Sequence, residues 1–282
     1  RKGDSRISGL PVTGGAFPRP PEAPFPLSTN YEETMLLKDK KCLIFGVANN
    51  RSIAYGIASC FKEQGARLAF SYAGEAIHKR VEPISEELGG EFIFPCDVTS
   101  DEDIAAAAAL VKEKWGSVDV LVHSVAFANR EDLTKRFIET SRDGFATALN
   151  VSAYSLTALC HAFEPMLNPG ASVLTMTYYG AQKIITNYNV MGVAKAALEA
   201  SVRYLSVDLG AKDVRINAIS AGPLKTLASS GISDFKQIFN HIEEHAPLRR
   251  NVTTEDVGKA AVFLASDLGS AVTGEIMFVD CG

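Results

Sequence analysis

The sequence of 282 residues has no apolar run long enough to cross a bilayer. The longest, Ile104–Val111, falls far short of the ~20 residues that a membrane helix needs. Cysteine is scarce and unpatterned: Cys42, Cys60, Cys96, Cys160 and Cys281 are odd in number and lack C-x-x-C spacing. That argues against a disulfide framework or a zinc site and fits a reducing compartment, so a cytoplasmic, bacterial-type location is expected. No polybasic block occurs, and 28 basic residues stand against 33 acidic ones, so neither a nucleic-acid nor a membrane partner is expected. His123 has no second His, Cys or acid at metal-ligand spacing and reads as an interior residue; no metal is expected. What remains, 46% hydrophobic and 22% charged residues, is the composition of a soluble globular protein directed at a small molecule or a protein partner.

Six of the twelve prolines and four glycines fall before Leu27, without a periodic apolar face. Residues 1–34 are therefore expected to be a flexible Pro/Gly-rich tail, with no apolar core of the kind a secretory signal needs. From Lys40 onward, short β-branched or aromatic runs alternate with longer stretches of helical period. Strands are predicted at Lys41–Phe45, Arg67–Tyr72, Glu91–Pro95, Val118–His123, Ala171–Tyr178, Arg215–Ser220 and Ile276–Val279. Helices are predicted at Ser52–Gln64, Ala76–Leu88, Asp101–Lys114, Arg142–Glu164, Tyr188–Leu209, Phe235–Glu244 and Thr254–Ser266. Seven strands with crossover helices make one doubly wound, Rossmann-type α/β domain over residues 35–282, its seven-stranded parallel sheet opening a ligand crevice at the carboxyl ends of the strands.

Three segments bear on that crevice. After the first strand, Gly46 leads to Ser52 at a helix start, where the backbone can approach a pyrophosphate; the alternative is a plain turn with a serine N-cap, since G-x-G-x-x-G is absent. Asp97 follows strand three, where it either accepts a hydrogen bond from an adenine amine or serves the turn and the next helix. Tyr188 and Lys195 stand seven apart, almost two helical turns, which places both on one face with the lysine leaning toward the tyrosine. An ammonium so placed lowers the tyrosine pKa and can hold ribose hydroxyls, making the phenol a better donor to a developing oxyanion. A buried tyrosine beside a solvated lysine is the alternative.

Tyr178-x9-Tyr188-x6-Lys195, the Ser52-Ile53-Ala54 turn and the run Asn217 to Ala228 together resemble the bacterial enoyl-acyl-carrier-protein reductase I family, a divergent branch of the short-chain dehydrogenase/reductases. The similarity runs from about Leu36 to Cys281. It implies NADH as cofactor, held at Gly46, Ser52, Ile53, Asp97, Val98, Val125, Lys195, Leu224, Lys225, Thr226, Leu227 and Ala228. It implies catalysis by Tyr188, Lys195 and Tyr178, substrate contacts at Ala128 and Tyr178, a homotetramer, and an acyl carrier protein as partner. Ala126, Asn129 and Ala73 depart from the glycine, proline and glutamine common among relatives, which touches cofactor affinity and inhibitor fit but not reaction class. The competing functions are a general carbonyl or alcohol dehydrogenase, disfavoured by Tyr178 and by Thr175 in place of serine, and a dinucleotide sensor without turnover, disfavoured by the Tyr188 and Lys195 pair.

Overall fold

Along β1 (Lys41–Phe45) successive side chains enter different cores: Leu43 and Phe45 join one, Cys42 and Ile44 the other. This double burial explains the unbroken apolar run, since a parallel strand is covered on both faces. The computed structural model describes residues 35–226 and 235–282, so the expected tail and the two positions Leu227 and Ala228 lie outside the described residues. The elements that follow are α1 (Ile53–Glu63), β2 (Arg67–Tyr72), α2 (Glu75–Leu88), β3 (Phe92–Pro95), α3 (Asp101–Lys114), β4 (Val118–His123) and the short α4 (Arg130–Thr134). Then come α5 (Arg142–Leu149), α6 (Ser155–Phe163), β5 (Leu167–Thr177), α7 (Asn189–Gly210), β6 (Arg215–Ala221), α8 (Phe235–His245), α9 (Thr254–Ala265) and β7 (Ile276–Val279).

The strands form one parallel sheet in the order β3-β2-β1-β4-β5-β6-β7, as the sequence predicts. One core packs α3, α6 and α7 on the sheet, with Phe45 edge-on to Phe94 and Phe163 at 5.7 and 5.8 Å; the other packs α1, α2 and α9 on the opposite face. Helix starts follow from capping oxygens: Ser100 accepts from Asp103 N, Ser141 from Gly144 N, and Thr253 from Asp256 N. The chain reverses direction across the sheet between β1 and β4, where Phe45 pairs with His123, and this opens the crevice.

Two predicted elements need correction. The single helix over 142–164 is two α-helices joined by a π-helical turn, Asn150–Tyr154, which turns Ser152 and Ser155 toward the end of β4. Strand five begins at Leu167 rather than Ala171, because Leu167 pairs with Val118 and the register then shifts past Pro169 and Gly170. The five cysteines are free thiols, four of them buried.

Candidate active site

Beyond the carboxyl ends of β1, β4, β5 and β6 lies a cavity of about 380 Å³. Its floor starts at Gly46, with φ +99°, where a Cβ would stand 2.1 Å from the Ser124 carbonyl oxygen. No side chain fits between these strand ends, so the backbone itself lines the cavity. Ser52 is not a side-chain cap: its Oγ donates to the Asn49 carbonyl at 2.7 Å, closing the turn, and the N-cap alternative falls away. The first N–H groups of α1 receive no acceptor from their own helix, and Ser52 and Ile53 both line the cavity. This is a cradle suited to an anion.

The π-helical turn shapes the next wall. Ser152 Oγ accepts from Phe127 N at 2.9 Å and donates to Phe127 O at 3.0 Å, fixing the segment on which Val125, Ala126 and Ala128 face the cavity. Ser155 Oγ lies 2.8 Å from His123 Nε2, and Thr175 Oγ1 lies 2.8 Å from His123 Nδ1. His123 is wholly buried, and burial together with the nearby Lys195 charge pushes its pKa down to about 3. It is the neutral interior residue that the sequence suggests.

Tyr178 and Tyr188 meet edge to face, ring centroids 5.1 Å apart at 71°. Two glycines make room: a Cβ on Gly180 would come within 2.4 Å of the Tyr188 ring, and one on Gly192 within 2.8 Å of the Gly180 carbonyl oxygen. Asn187 and Asn189, flanking Tyr188, both adopt positive φ. Asn189 Nδ2 donates to the carbonyls of Leu133 and Lys135 at 3.1 and 2.7 Å, anchoring α4 beside the site. Tyr188 precedes the first residue of α7 rather than lying within it, yet its side chain and that of Lys195 line the same cavity.

Lys195 is 5% exposed, so it is no solvated lysine; its Nζ donates to the Met176 carbonyl at 2.7 Å. The expected lowering of the tyrosine pKa is not found. Burial, reinforced by Tyr178 and Glu199, raises Tyr188 well above the ordinary phenol value, and burial raises Tyr178 as well. The ammonium sits on the β5 backbone and does not offset that desolvation. Burial moves Lys195 itself from 10.5 down to about 8, against an opposing pull from Glu199.

That shift gives a stability test. Between about pH 8 and 10.5 the unfolded chain binds more protons at this lysine than the folded one does, so the cost of burying the ammonium is full below pH 8 and fades as pH rises. Lys195→Met should therefore be more stable than the parent at pH 7, by up to about 3 kcal/mol in denaturant unfolding, with the gap closing toward pH 10. A gap independent of pH would contradict the assignment.

Of the residues singled out in the sequence, Gly46, Ser52, Ile53, Val125, Ala128, Tyr178, Tyr188, Lys195, Leu224 and Thr226 line this cavity. Asp97, Val98 and Lys225 do not. Asp97 Oδ1 accepts from Thr99 N and Oγ1 at 2.9 and 2.7 Å, the turn role foreseen as its alternative, and Val98 is buried. Lys225 Nζ lies 4.1 Å over the Phe239 ring. Leu227 and Ala228 fall outside the described residues. Sequence reasoning missed Phe127, Leu133, Ile185 and Met191, an apolar wall beside the tyrosines; among these, Met191 one turn after Tyr188 was the one detectable signal.

A family profile described as enoyl-(acyl carrier protein) reductase matches residues 46–282. The chain belongs to that family. Enoyl-(acyl-carrier-protein) reductase (NADH) 1 of Rhizobium meliloti is 53% identical over 247 residues, 88% of this chain and 91% of that protein. A reductase of Rickettsia typhi with the same NADH designation is 53% identical over 249 residues, 88% of this chain and 95% of its own. Among solved structures, the Bacillus cereus enoyl-acyl carrier protein reductase with NADP+ and an indole naphthyridinone is 50% identical, covering 88% of this chain and 97% of that chain, with a TM-score of 0.86. An Anaplasma phagocytophilum reductase in complex with NAD is 48% identical, covering 88% and 93%, with a TM-score of 0.84. The enoyl-(acyl carrier protein) reductase profile thus spans every site segment from Gly46 onward, and the resemblance read from the sequence holds.

Proposed function

We propose that the protein reduces the 2,3 double bond of trans-2-enoyl thioesters with NADH. The contact of Tyr178 with Tyr188 in the cavity shared with the buried Lys195 is the observation that supports this most directly. The residues present fit a dinucleotide: the Gly46 cradle excludes any Cβ, and the start of α1 offers N–H donors and a positive dipole end to a pyrophosphate. Gly46, Ser52 and Ile53 would hold the phosphates, Lys195 the nicotinamide ribose, Val125, Leu224 and Thr226 the nicotinamide end, and Asp97 and Val98 the adenine end, with Lys225, Leu227 and Ala228 completing the set implied by resemblance. When bound, NADH supplies hydride.

The chain's own groups then orient the thioester and stabilise charge. Hydride addition at the β-carbon drives an electron pair onto the thioester oxygen, and the α-carbon is protonated afterwards. Tyr188 keeps its proton at working pH because its pKa is raised, so it serves as a permanent hydrogen-bond donor to that oxygen. Tyr178, packed on its ring, would lie along the acyl chain beside Ala128. The apolar wall of Phe127, Leu133, Ile185 and Met191 suits an aliphatic tail. Loss of NADH absorbance with crotonyl-CoA tests the activity; absence of turnover with NADH bound would leave the sensor alternative standing.

The cofactor preference should be NADH. Strand β2 ends Ser71-Tyr72-Ala73-Gly74, without an acid, but Glu75 opens α2 and stands 3.7 Å from Lys79 and 3.9 Å from His78, engaging two cations that a 2′-phosphate would need. The kcat/KM ratio of NADH to NADPH at fixed ionic strength should exceed one; a tenfold preference for NADPH, ~1.4 kcal/mol, would reverse the assignment.

The delivered substrate is proposed to be the acyl-carrier-protein thioester, with Lys225, Lys236, Arg249 and Arg250 as candidate docking cations. Arg250 is already bound by both oxygens of Asp256, at 2.6 and 3.0 Å, which leaves it the weakest of these candidates. A homotetramer working in the cytoplasm completes the proposal, supported by a groove of about 700 Å³ between α3, α6 and α7, edged by the exposed Tyr154. Tyr204 and Val207 on α7 are exposed apolar residues as well. No helix among the described residues is long and apolar enough to cross a membrane.

A further inference from the structure

Glu199 is 5% exposed on α7, four residues and so about one turn beyond Lys195. Its Oε1 accepts from Thr177 Oγ1 at 2.9 Å and its Oε2 from Gln182 Nε2 at 3.4 Å. A carboxyl whose two oxygens both accept is paired as an anion is paired. A buried anion persists only where hydrogen bonds and a counter-charge offset its desolvation. Thr177 is the last residue of β5, directly before Tyr178, and Gln182 closes the turn that contains Gly180. One carboxylate therefore joins the segment bearing Tyr178 to the helix bearing Lys195.

We propose that Glu199 is a positioning residue of this site, its buried negative charge keeping Lys195 an ammonium and its two oxygens holding the Tyr178 segment against α7. The proposal rests on the reading that Lys195 holds the dinucleotide. Other titratable groups facing Lys195 do not supply this charge: His123 on β4 is neutral, and Tyr178 and Tyr188 keep their protons. The remaining neighbours from α4, α5 and α6 exert no charge on Lys195, whereas Glu199 raises its pKa against burial. The same carboxylate adds to the forces that keep Tyr188 protonated.

The test is the pH dependence of NADH affinity, read by cofactor fluorescence on the full chain, alongside apo-protein unfolding. For the parent, affinity should fall as pH rises through about 8. Glu199→Gln keeps the shape and can still accept from Thr177, but its alkaline limb should move down by about one pH unit, the lower end for loss of an adjacent opposite charge, so that affinity at pH 8 drops about fivefold. The apo variant should lose stability at pH 7 and recover it toward pH 10. Glu199→Asp, which withdraws the charge by one methylene, should shift the limb the same way by less, and it decides the question if Glu199→Gln does not fold. A limb that is unmoved or raised in both variants overturns the role of Glu199. A parent protein that binds no NADH, or binds it without an alkaline limb, instead refutes the assignment of Lys195 itself.

Discussion

Tyr188→Phe should lower kcat by about 10²–10³, the loss seen when one donor to a developing oxyanion is removed, while the KM for NADH stays within about twofold. The edge-to-face contact with Tyr178 does not use the hydroxyl, so the phenylalanine ring can keep its place. Lys195→Ala should lower turnover and NADH affinity together, because the ammonium both faces the cofactor cavity and ties α7 to the Met176 carbonyl. Steady-state kinetics with crotonyl-CoA and varied NADH separates the two patterns. Near-normal kcat and KM in Lys195→Ala would end its assignment to the site.

Gly46→Ala should cost about 4 kcal/mol or more and abolish NADH binding. The new methyl would sit 2.1 Å from a backbone oxygen, with φ at +99°, so β1 and β4 must part where Phe45 and His123 pair. A chain of this size should then lose about 10 °C or more in Tm. Gly89→Ala is the control: it also has positive φ, +69°, but a Cβ there meets nothing within 4 Å, and the expected cost is about 1–2 kcal/mol. Equal Tm values for the two variants would show that the strand ends are not locked together.

The sheet was legible because its strands are buried on both faces, which writes short unbroken apolar runs into the chain; β1, β2, β4 and β7 begin and end at the residues predicted. The tyrosine and lysine spacing was legible for the same local reason. What surrounds them was not. The raised pKa of Tyr188 depends on burial that the seven-residue spacing cannot express, so the predicted direction was wrong. Leu133 is the one large apolar residue of α4, among Arg130, Glu131, Asp132 and Thr134, and nothing in that polar stretch announces a site wall. Glu199 reads as an ordinary charged helix residue, because its partners Thr177 and Gln182 lie 22 and 17 positions away.

The π-helical turn at 150–154 also acts as a phase setter. Each residue of an α-helix rotates the chain by about 100°, so one residue removed from this turn would restore the regular pitch and swing all of α6 by about that angle. Leu156, Leu159, Cys160 and Phe163, now fully or almost fully buried against the sheet, would leave the core together, while Ser152 and Ser155 lost Phe127 and His123. The irregularity is thus the one setting at which the inner face of α6 and the two serines point the right way at once, and a deletion there would be tolerated less well than most point substitutions in the same helix.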